Sequence, residues 1–253
     1  MARGSAGESV LTRALRVLNA LDADTTTLTL NELARRAGLP TSTASRLVLQ
    51  MVDLGLLRRD ERGRIGIGIR LWELASRAAP TRSLRETALP FMEDLHAVLG
   101  HHVQLGVREA VEVLFVERLS SPHAVINYTR VAGRLPLHAS SSGLVLLAHA
   151  PGAVLDEVIA GGLPGFTEHT ITDPDRLRRE VAEVRRRGYA LNRGHLHTAA
   201  AGVAVPIHGA DGRVVAALSA IIPNDERAFH AVPALTTGAH GIHRALSGEL
   251  LSR

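Results

Sequence analysis

The 253-residue sequence contains no cysteine and no lysine. Without cysteine, the chain can form no disulfide, thiolate metal site or cysteine nucleophile. Without lysine, Schiff-base chemistry and a Walker-type phosphate site are excluded as well. All 29 basic residues are therefore arginine. G-x-S-x-G, the nucleophile motif of many serine hydrolases, is also absent. The sequence is not expected to be that of an enzyme.

Long hydrophobic runs are absent too. No stretch of about 18 consecutive apolar residues exists, so no membrane span is predicted. The first residues, M-A-R-G-S-A-G-E-S, lack the apolar centre of a signal peptide. A hydrophobic content of 45% is typical of a folded chain rather than a disordered one. These features predict a cytoplasmic protein with no membrane partner.

Charge is unevenly distributed along the chain. Residues 1–80 contain 12 arginines against 8 acidic residues, whereas residues 81–253 contain 17 of each. All 13 histidines follow residue 80. This difference in ionic character predicts two domains, of which the first is suited to a polyanion such as DNA.

Three helices are predicted in the first domain. Apolar residues recur at helical spacing from Val10 to Leu21. Thr29 and Glu32 have the spacing of a capping box, which predicts the start of a second helix. Gly38 is expected to end that helix, and Pro40 leads directly into a third. Such a short connection is typical of a helix-turn-helix.

The third helix, predicted over residues 41–54, has an unusual outer face. At 100° per residue, its apolar residues share one side; these are Ala44, Leu47, Val48 and Met51. The opposite side carries short hydroxyl residues, one arginine and Leu49, with Thr43 and Gln50 at its flanks. Hydroxyls approach base edges closely, and arginine makes a bidentate contact with guanine. The pattern favours a helix that reads the major groove, although an ordinary solvated face has the same composition.

A strand pair follows this helix. Leu56–Arg59 and Arg64–Ile67 flank the turn D-E-R-G, which predicts a β-hairpin in the position of a wing. Arginines on a wing contact phosphates and position the module without reading sequence. The predicted DNA-binding residues are Arg13, Thr41, Ser42, Thr43, Ser45, Arg46, Arg58, Arg59, Arg62 and Arg64. A winged helix that binds another protein is the alternative.

The second part of the chain predicts an α+β domain with one antiparallel sheet. Helices are expected at Ser83–Leu99, at Ser140–His149, from Asp173 to Gly188 and at the C-terminus. Two apolar segments around G-A-D-G indicate a β-hairpin, and the segments around E-A at 109–110 indicate another strand pair in a sheet with a covered face.

The chain resembles the IclR family of bacterial transcription regulators over roughly residues 9–250. The resemblance rests on S-V-L-T-R-A-L-R-V-L, L-T-L-N-E-L-A-R-R-A-G-L-P-T-S-T-A-S-R-L, G-R-L-P-L-H-A-S-S-S-G, V-R-R-R-G-Y-A-L-N and D-G-R-V-V-A-A-L-S-A, in family order. It implies a winged helix-turn-helix domain (1–68), a linker helix (69–80) and a GAF-like effector-binding and oligomerisation domain (81–253). It also implies a homodimer, or a dimer of dimers, that binds a double-stranded DNA operator, most often as a repressor.

A small-molecule effector is implied by the same resemblance. The positions that match its pocket are Tyr128, Ser141, Ser142, Asn192, Gly202, Ser219 and Ile221. Hydroxyls and free amides at a helix N-terminus bind carboxylates, so an organic or aromatic acid is expected. Ser140–Ser142 could instead serve only to cap the helix.

The loop after G-Y-A departs from the family pattern. His195 stands where the family has a characteristic Glu, and Arg193 and His197 make the loop more cationic. The effector therefore need not be that of any relative. A zinc-binding regulator using His195 and His197, with His138 nearby, is an alternative, because alternation along a strand would place both imidazoles on one side. Zinc needs three or four convergent ligands, so no metal and no cofactor is expected.

Overall fold

A computed structural model describes residues 8–22, 25–75, 79–121, 125, 129 and 131–251. The chain forms two compact units, residues 1–79 and 80–253. Among the described residues, no helix is long and apolar enough to span a bilayer.

The first unit combines helices with a small antiparallel sheet. Its elements are α1 (Val10–Asn19), β1 (Thr27–Leu28), α2 (Leu30–Ala37), α3 (Thr41–Asp53), β2 (Leu57–Arg59), β3 (Ile65–Ile67) and α4 (Ile69–Ala75). The strand order is β1-β3-β2, so the predicted hairpin is confirmed and gains a third strand. A strand of two residues leaves too short a pattern to be recognised in sequence.

Local signals position α2 and α3. Thr29 caps α2, and its amide and hydroxyl both bond to Glu32, which confirms the predicted capping box. Gly38 adopts a left-handed conformation with φ of 60°, where a side chain would be strained. The Arg16 guanidinium donates to the carbonyls of Ala37 (2.7 Å) and Gly38 (2.6 Å) and so holds α1 against this turn.

The second unit is built around a six-stranded antiparallel sheet of order β6-β5-β4-β9-β8-β7. Its strands are β4 (His102–Glu109), β5 (Glu112–Leu119), β6 (Arg134–Pro136), β7 (Ala190–Arg193), β8 (Ala200–His208) and β9 (Val214–Pro223). Its helices are α5 (Ala79–Leu99), α6 (Ser141–Ala148), α7 (Gly152–Ala160), α8 (Pro174–Arg187) and α9 (Ala231–Leu251), with a short 3₁₀ turn at Glu226–His230.

Helices cover both faces of this sheet. On one face, residues of α5 and α9 form a core with β4, β8 and β9 that includes Met92, Leu218 and Leu235. On the other, α6 and α8 form a second core that includes Phe115 and Leu144. The sequence predicted a sheet with a covered face, and the central strands are in fact buried on both sides.

Two helices differ from the sequence prediction. Helix α5 begins at Ala79, four residues before the predicted Ser83, with Pro80 in its first turn, where the missing N–H leaves no intrahelical bond unmade. Of the linker helix predicted over 69–80, the structure describes α4 at Ile69–Ala75, and residues 76–78 lie outside the described residues. Helix α7 was not predicted, because Pro151, which precedes it, offers no capping side chain, and glycines lie at both of its ends.

Candidate functional site

Helix α3 separates an apolar side from a polar side, as the sequence predicted. Its apolar residues are all buried, namely Ala44, Leu47, Val48 and Met51. On the outward side, Thr41, Ser42, Arg46, Leu49 and Gln50 are exposed, while Thr43 and Ser45 are half-buried. The outward side is thus a ridge of short hydroxyls with one guanidinium at its centre.

The N-terminal end of α3 is open to an anion. Pro40 precedes the helix and makes no side-chain capping bond, and the first turn carries no acidic residue. The free amides of this turn therefore retain their partial positive charge. Together with the hydroxyls of Thr41 and Ser42, they form a surface suited to phosphate.

Arginines of the first unit fall into two groups. Within the described residues, the side chains of Arg46, Arg58 and Arg62 make no hydrogen bond or ion pair, so their guanidinium donors are available to a partner. Arg16 and Arg36 are committed to the fold: Arg36 bonds to Asp22 (3.0 Å) and to Thr25 (3.1 Å).

Three of the arginines predicted to bind DNA have partners within the unit. Arg64 donates to the hydroxyl (3.1 Å) and the carbonyl (2.8 Å) of Thr27 and thereby fixes β1 to the wing. Arg59 reaches the Gly63 carbonyl at 3.5 Å, and Arg13 reaches the Ser9 carbonyl at 3.4 Å. Of these three arginines, Arg64 makes the shortest hydrogen bonds. The sequence pattern did not indicate its contact with Thr27, which lies 37 residues away along the chain.

The second unit encloses a cavity between the sheet and the N-terminal end of α6. About 490 Å³ of space there is free of protein atoms, part of it open to solvent. Five of the predicted effector residues line it, namely Ser141, Ser142, Asn192, Gly202 and Ile221. The other lining residues are Gln104, Phe115, Thr129, Leu135, Ala139, Ser140, His195, Leu196, His197 and Ala200.

The remaining two predicted effector residues do not line this cavity among the described residues. Ser219 does not line the cavity but lies fully buried beneath it, where its hydroxyl accepts a hydrogen bond from the Ser142 hydroxyl at 2.9 Å. Tyr128 lies outside the described residues.

Small residues allow α6 to approach the sheet. A Cβ at Gly202 would stand 2.7 Å from the Ser141 hydroxyl oxygen, and a Cβ at Gly143 would stand 2.3 Å from the Leu137 carbonyl oxygen. Ser140 caps the helix by accepting from the Gly143 amide at 3.0 Å. Capping is therefore assigned to Ser140, while no described residue bonds to the Ser141 hydroxyl at the cavity wall.

Three buried polar atoms around the cavity have no hydrogen-bond partner among the described residues: Gln104 Oε1, Asn192 Oδ1 and His195 Nδ1. The Gln104 amide nitrogen donates a hydrogen bond to the Thr129 hydroxyl. The Asn192 amide nitrogen donates one to the Ala139 carbonyl at 3.4 Å. Leaving such atoms unpaired costs free energy, so a cavity lined by them favours a ligand that donates hydrogen bonds. The sequence analysis missed Gln104, whose signal was an amide between the apolar residues Val103 and Leu105.

The loop that carries His195 is a series of bends rather than the predicted strand. Thr167 and Thr170 anchor it by donating to the carbonyls of Gly194 and His195, both at 2.6 Å. Burial, reinforced by the nearby Arg176, His169 and His138, lowers the pKa of His195 to about 4. The imidazole is therefore neutral at physiological pH, and the lining residues that the structure describes include no arginine and no carboxylate.

No three His, Asp or Glu side chains converge on a metal position within the described part of the chain. His138 faces the Pro164 carbonyl at 3.0 Å through Nε2, and burial lowers its pKa. The zinc alternative required His138, His195 and His197 to meet, and the bends of the loop remove the strand alternation on which that idea was based.

Comparison with known proteins identifies relatives for both units. The family described as IclR helix-turn-helix domain matches residues 10–61, and the bacterial transcriptional regulator IclR C-terminal family matches residues 77–232. The chain is 30% identical to the HTH-type transcriptional regulator KipR of Bacillus subtilis, over 76% of this chain and 77% of the relative. It is 29% identical to the Transcriptional repressor IclR of Escherichia coli, over 72% and 68% respectively.

Solved structures extend the similarity over both units. A crystal structure of an IclR homolog from Microbacterium hydrocarbonoxydans, complexed with 4-hydroxybenzoate, is 47% identical with a TM-score of 0.90. It covers 95% of this chain and 100% of its own. An IclR homolog from Microbacterium sp. strain HM58-2 is 45% identical with a TM-score of 0.63, over 94% of this chain and 98% of its own.

The lowered pKa of His195 predicts a pH-dependent stability. As pH falls from 6.5 towards 4, the unfolded chain takes up a proton at this residue while the folded chain does not. The free energy of unfolding should therefore decrease across this window, by up to about 3 kcal/mol from this group. Above pH 6.5 the contribution should be constant.

Denaturant unfolding of the second-unit transition, measured from pH 4 to pH 7.5, tests this expectation. His195→Gln should lose less stability than the unsubstituted chain as pH falls, and His240→Gln, at an exposed position of α9, controls for replacing a histidine. Parallel pH curves for the unsubstituted chain and His195→Gln would show that burial does not keep this imidazole neutral.

Proposed function

Because the chain belongs to the IclR family of bacterial transcriptional regulators, we propose that its helix α3 reads a double-stranded DNA operator and that a small aromatic carboxylic acid in the second-unit cavity controls this binding. The chain is a ligand-responsive DNA-binding regulator, and its relatives are regulators rather than enzymes. Repression is the direction that the relatives support, since they include the Transcriptional repressor IclR and the Acetate operon repressor.

The observation that carries the DNA-binding part is the outward ridge of α3 beside unpaired arginines. In this proposal, Thr41, Ser42, Thr43 and Ser45 approach the groove, and Arg46 contacts a base. Arg58, Arg59 and Arg62 contact phosphates from the wing, Arg13 supports them from α1, and Arg64 keeps the wing in place. Contact with chromosomal DNA also implies a cytoplasmic location.

Replacing Arg46 tests this assignment. Arg46→Ala should weaken binding to an operator selected from random duplexes by about 5- to 150-fold, the equivalent of about 1–3 kcal/mol. Arg46→Lys should keep the salt dependence of nonspecific binding but lose preference for the operator, because lysine lacks the bidentate fork.

Fluorescence anisotropy across a salt series measures both quantities. Arg244→Ala, an exposed arginine of α9, controls for the loss of one positive charge. Unchanged operator affinity in Arg46→Ala would refute the role of Arg46. If the full chain selected no duplex at all, the winged helix would instead be a protein-binding module.

The cavity chemistry supports an effector with two different ends. A carboxylate fits the N-terminal end of α6, where the Ser141 hydroxyl and the free amides compensate the charge. The unpaired oxygens of Gln104 and Asn192 accept a hydrogen bond from a second group of the ligand, such as a phenol hydroxyl. A hydroxybenzoate has both ends, and the similar Microbacterium hydrocarbonoxydans protein is complexed with 4-hydroxybenzoate.

Ligand-induced stabilisation tests the effector class. 4-Hydroxybenzoate should raise the melting temperature and bind about tenfold more tightly than benzoate, because benzoate leaves a buried acceptor unpaired. Methyl 4-hydroxybenzoate, which has no carboxylate, should not bind. The variants Gln104→Leu and Asn192→Leu each remove one of the two acceptors. Calorimetry should show that the variant without the acceptor of the phenol hydroxyl binds 4-hydroxybenzoate and benzoate with equal affinity. Equal affinities of the unsubstituted chain for the two acids would contradict the proposal.

Exposed apolar residues of the first unit support a homodimer. Leu11 and Leu15 lie one turn apart on α1, and Ile69 and Trp72 lie on α4, all with more than half of their surface exposed. Such residues are typical of a surface covered by a second copy. We propose that the pair binds an operator with two half-sites, that two pairs join into a dimer of dimers, and that effector binding changes the separation of the two winged helices.

Sedimentation velocity tests this surface. Leu15→Asp should shift the chain towards the one-chain mass of 27.0 kDa, because a carboxylate is costly to bury. Leu54→Asp changes an equally exposed leucine outside α1 and α4 and serves as the control. A Leu15→Asp chain that associates as the unsubstituted chain does would place the interface elsewhere.

A further inference from the structure

The outward ridge of α3 contains one large apolar side chain, Leu49. It is 54% exposed and belongs to none of the buried apolar clusters. At 100° per residue it points almost directly away from the buried side of α3. Its neighbours on the ridge are Ser45 and Arg46 one turn earlier and Asp53 one turn later. About half of the surface of this apolar side chain is therefore exposed to water.

A second copy of the chain is a poor occupant for this surface. Burying Leu49 in a protein interface would also desolvate the neighbouring Arg46 guanidinium and Ser45 hydroxyl, which costs free energy unless both find partners. The remaining ridge is polar, whereas protein interfaces concentrate apolar residues and lack charge at their centre. Exposed apolar residues on α1 and α4 already provide such a surface.

Duplex DNA fits all the residues of the ridge at once. Its major groove offers hydrogen-bonding edges to Arg46 and Ser45, and the 5-methyl group of thymine is the apolar group that the groove presents to a side chain. We infer that Leu49 packs against a thymine methyl and makes the operator preference of this chain depend on it. This inference rests on the proposed entry of α3 into the groove and adds a specificity-determining residue to it.

The position of that thymine follows from helix geometry. Leu49 lies three residues beyond Arg46, a rise of about 4.5 Å along the helix axis. Adjacent bases of one strand are about 3.4 Å apart. The thymine should therefore lie one or two base pairs from the base that Arg46 contacts.

Uracil substitution isolates the methyl group. The full chain is used to select an operator from random duplexes, and each thymine of a half-site is then replaced in turn by deoxyuridine, which lacks only the 5-methyl. One replacement, within two base pairs of the position whose preference Arg46→Lys abolishes, should weaken binding about fourfold, the value of one buried methyl-sized contact. In Leu49→Ala the same replacement should have no effect.

Leu54→Ala is the matched control. Leu54 is 65% exposed and follows the last residue of α3, so its loss should leave the thymine-to-uracil ratio as in the unsubstituted chain. If Leu49→Ala keeps the same ratio at every thymine, or changes the sedimentation mass instead, the inference is overturned while the proposed function stands. If no duplex is selected at all, both are overturned.

Discussion

Burial of one side of α3 is the constraint on which the recognition surface depends. A fully buried leucine or methionine contributes about 1.5–3 kcal/mol, so Leu47, Val48 and Met51 hold the helix in one rotation. Surface substitutions usually change stability by less than about 0.5 kcal/mol. The outward residues are therefore nearly free of stability requirements. The outward side can therefore carry hydroxyls, a guanidinium and a single leucine, because the buried side alone fixes the rotation of the helix.

The second unit meets a different constraint, because its recognition surface is enclosed. Gly202 lets Ser141 approach the sheet, and the space that remains beside them is lined by Gln104, Asn192 and His195 with polar atoms left unpaired. Without a ligand, these unpaired atoms lower the stability of the folded protein. In the proposed function, a ligand that pairs with these atoms removes this cost, which would favour molecules that carry donors in the matching positions.

Most of the fold could be predicted from local sequence signals, whereas the roles of individual side chains could not. The capping box at Thr29 and the left-handed Gly38 depend on neighbours in sequence, so the pattern revealed them. Arg46 and Arg64 look alike in sequence, yet Arg64 is held by Thr27, a contact that only the folded wing brings together. Gln104 was missed for the same reason, because the cavity beside it forms where residues of all six strands of the sheet meet.

The two units differ in how they are suited to a negatively charged ligand. The balance of arginine and acidic residues in each unit already indicates this difference. In residues 1–80 the excess of arginine leaves Arg46, Arg58 and Arg62 unpaired at the surface, where attraction to a polyanion is long-ranged and weakened by salt. In residues 81–253 charges balance, and the described residues that line the cavity include no arginine and no carboxylate. In the proposed function, amides and hydroxyls at the start of α6 would meet the effector at short range inside the second unit, whereas arginines of α3 and the wing would meet DNA at an open surface. The two ligands would then not compete for one surface, and only DNA binding would be strongly weakened by salt.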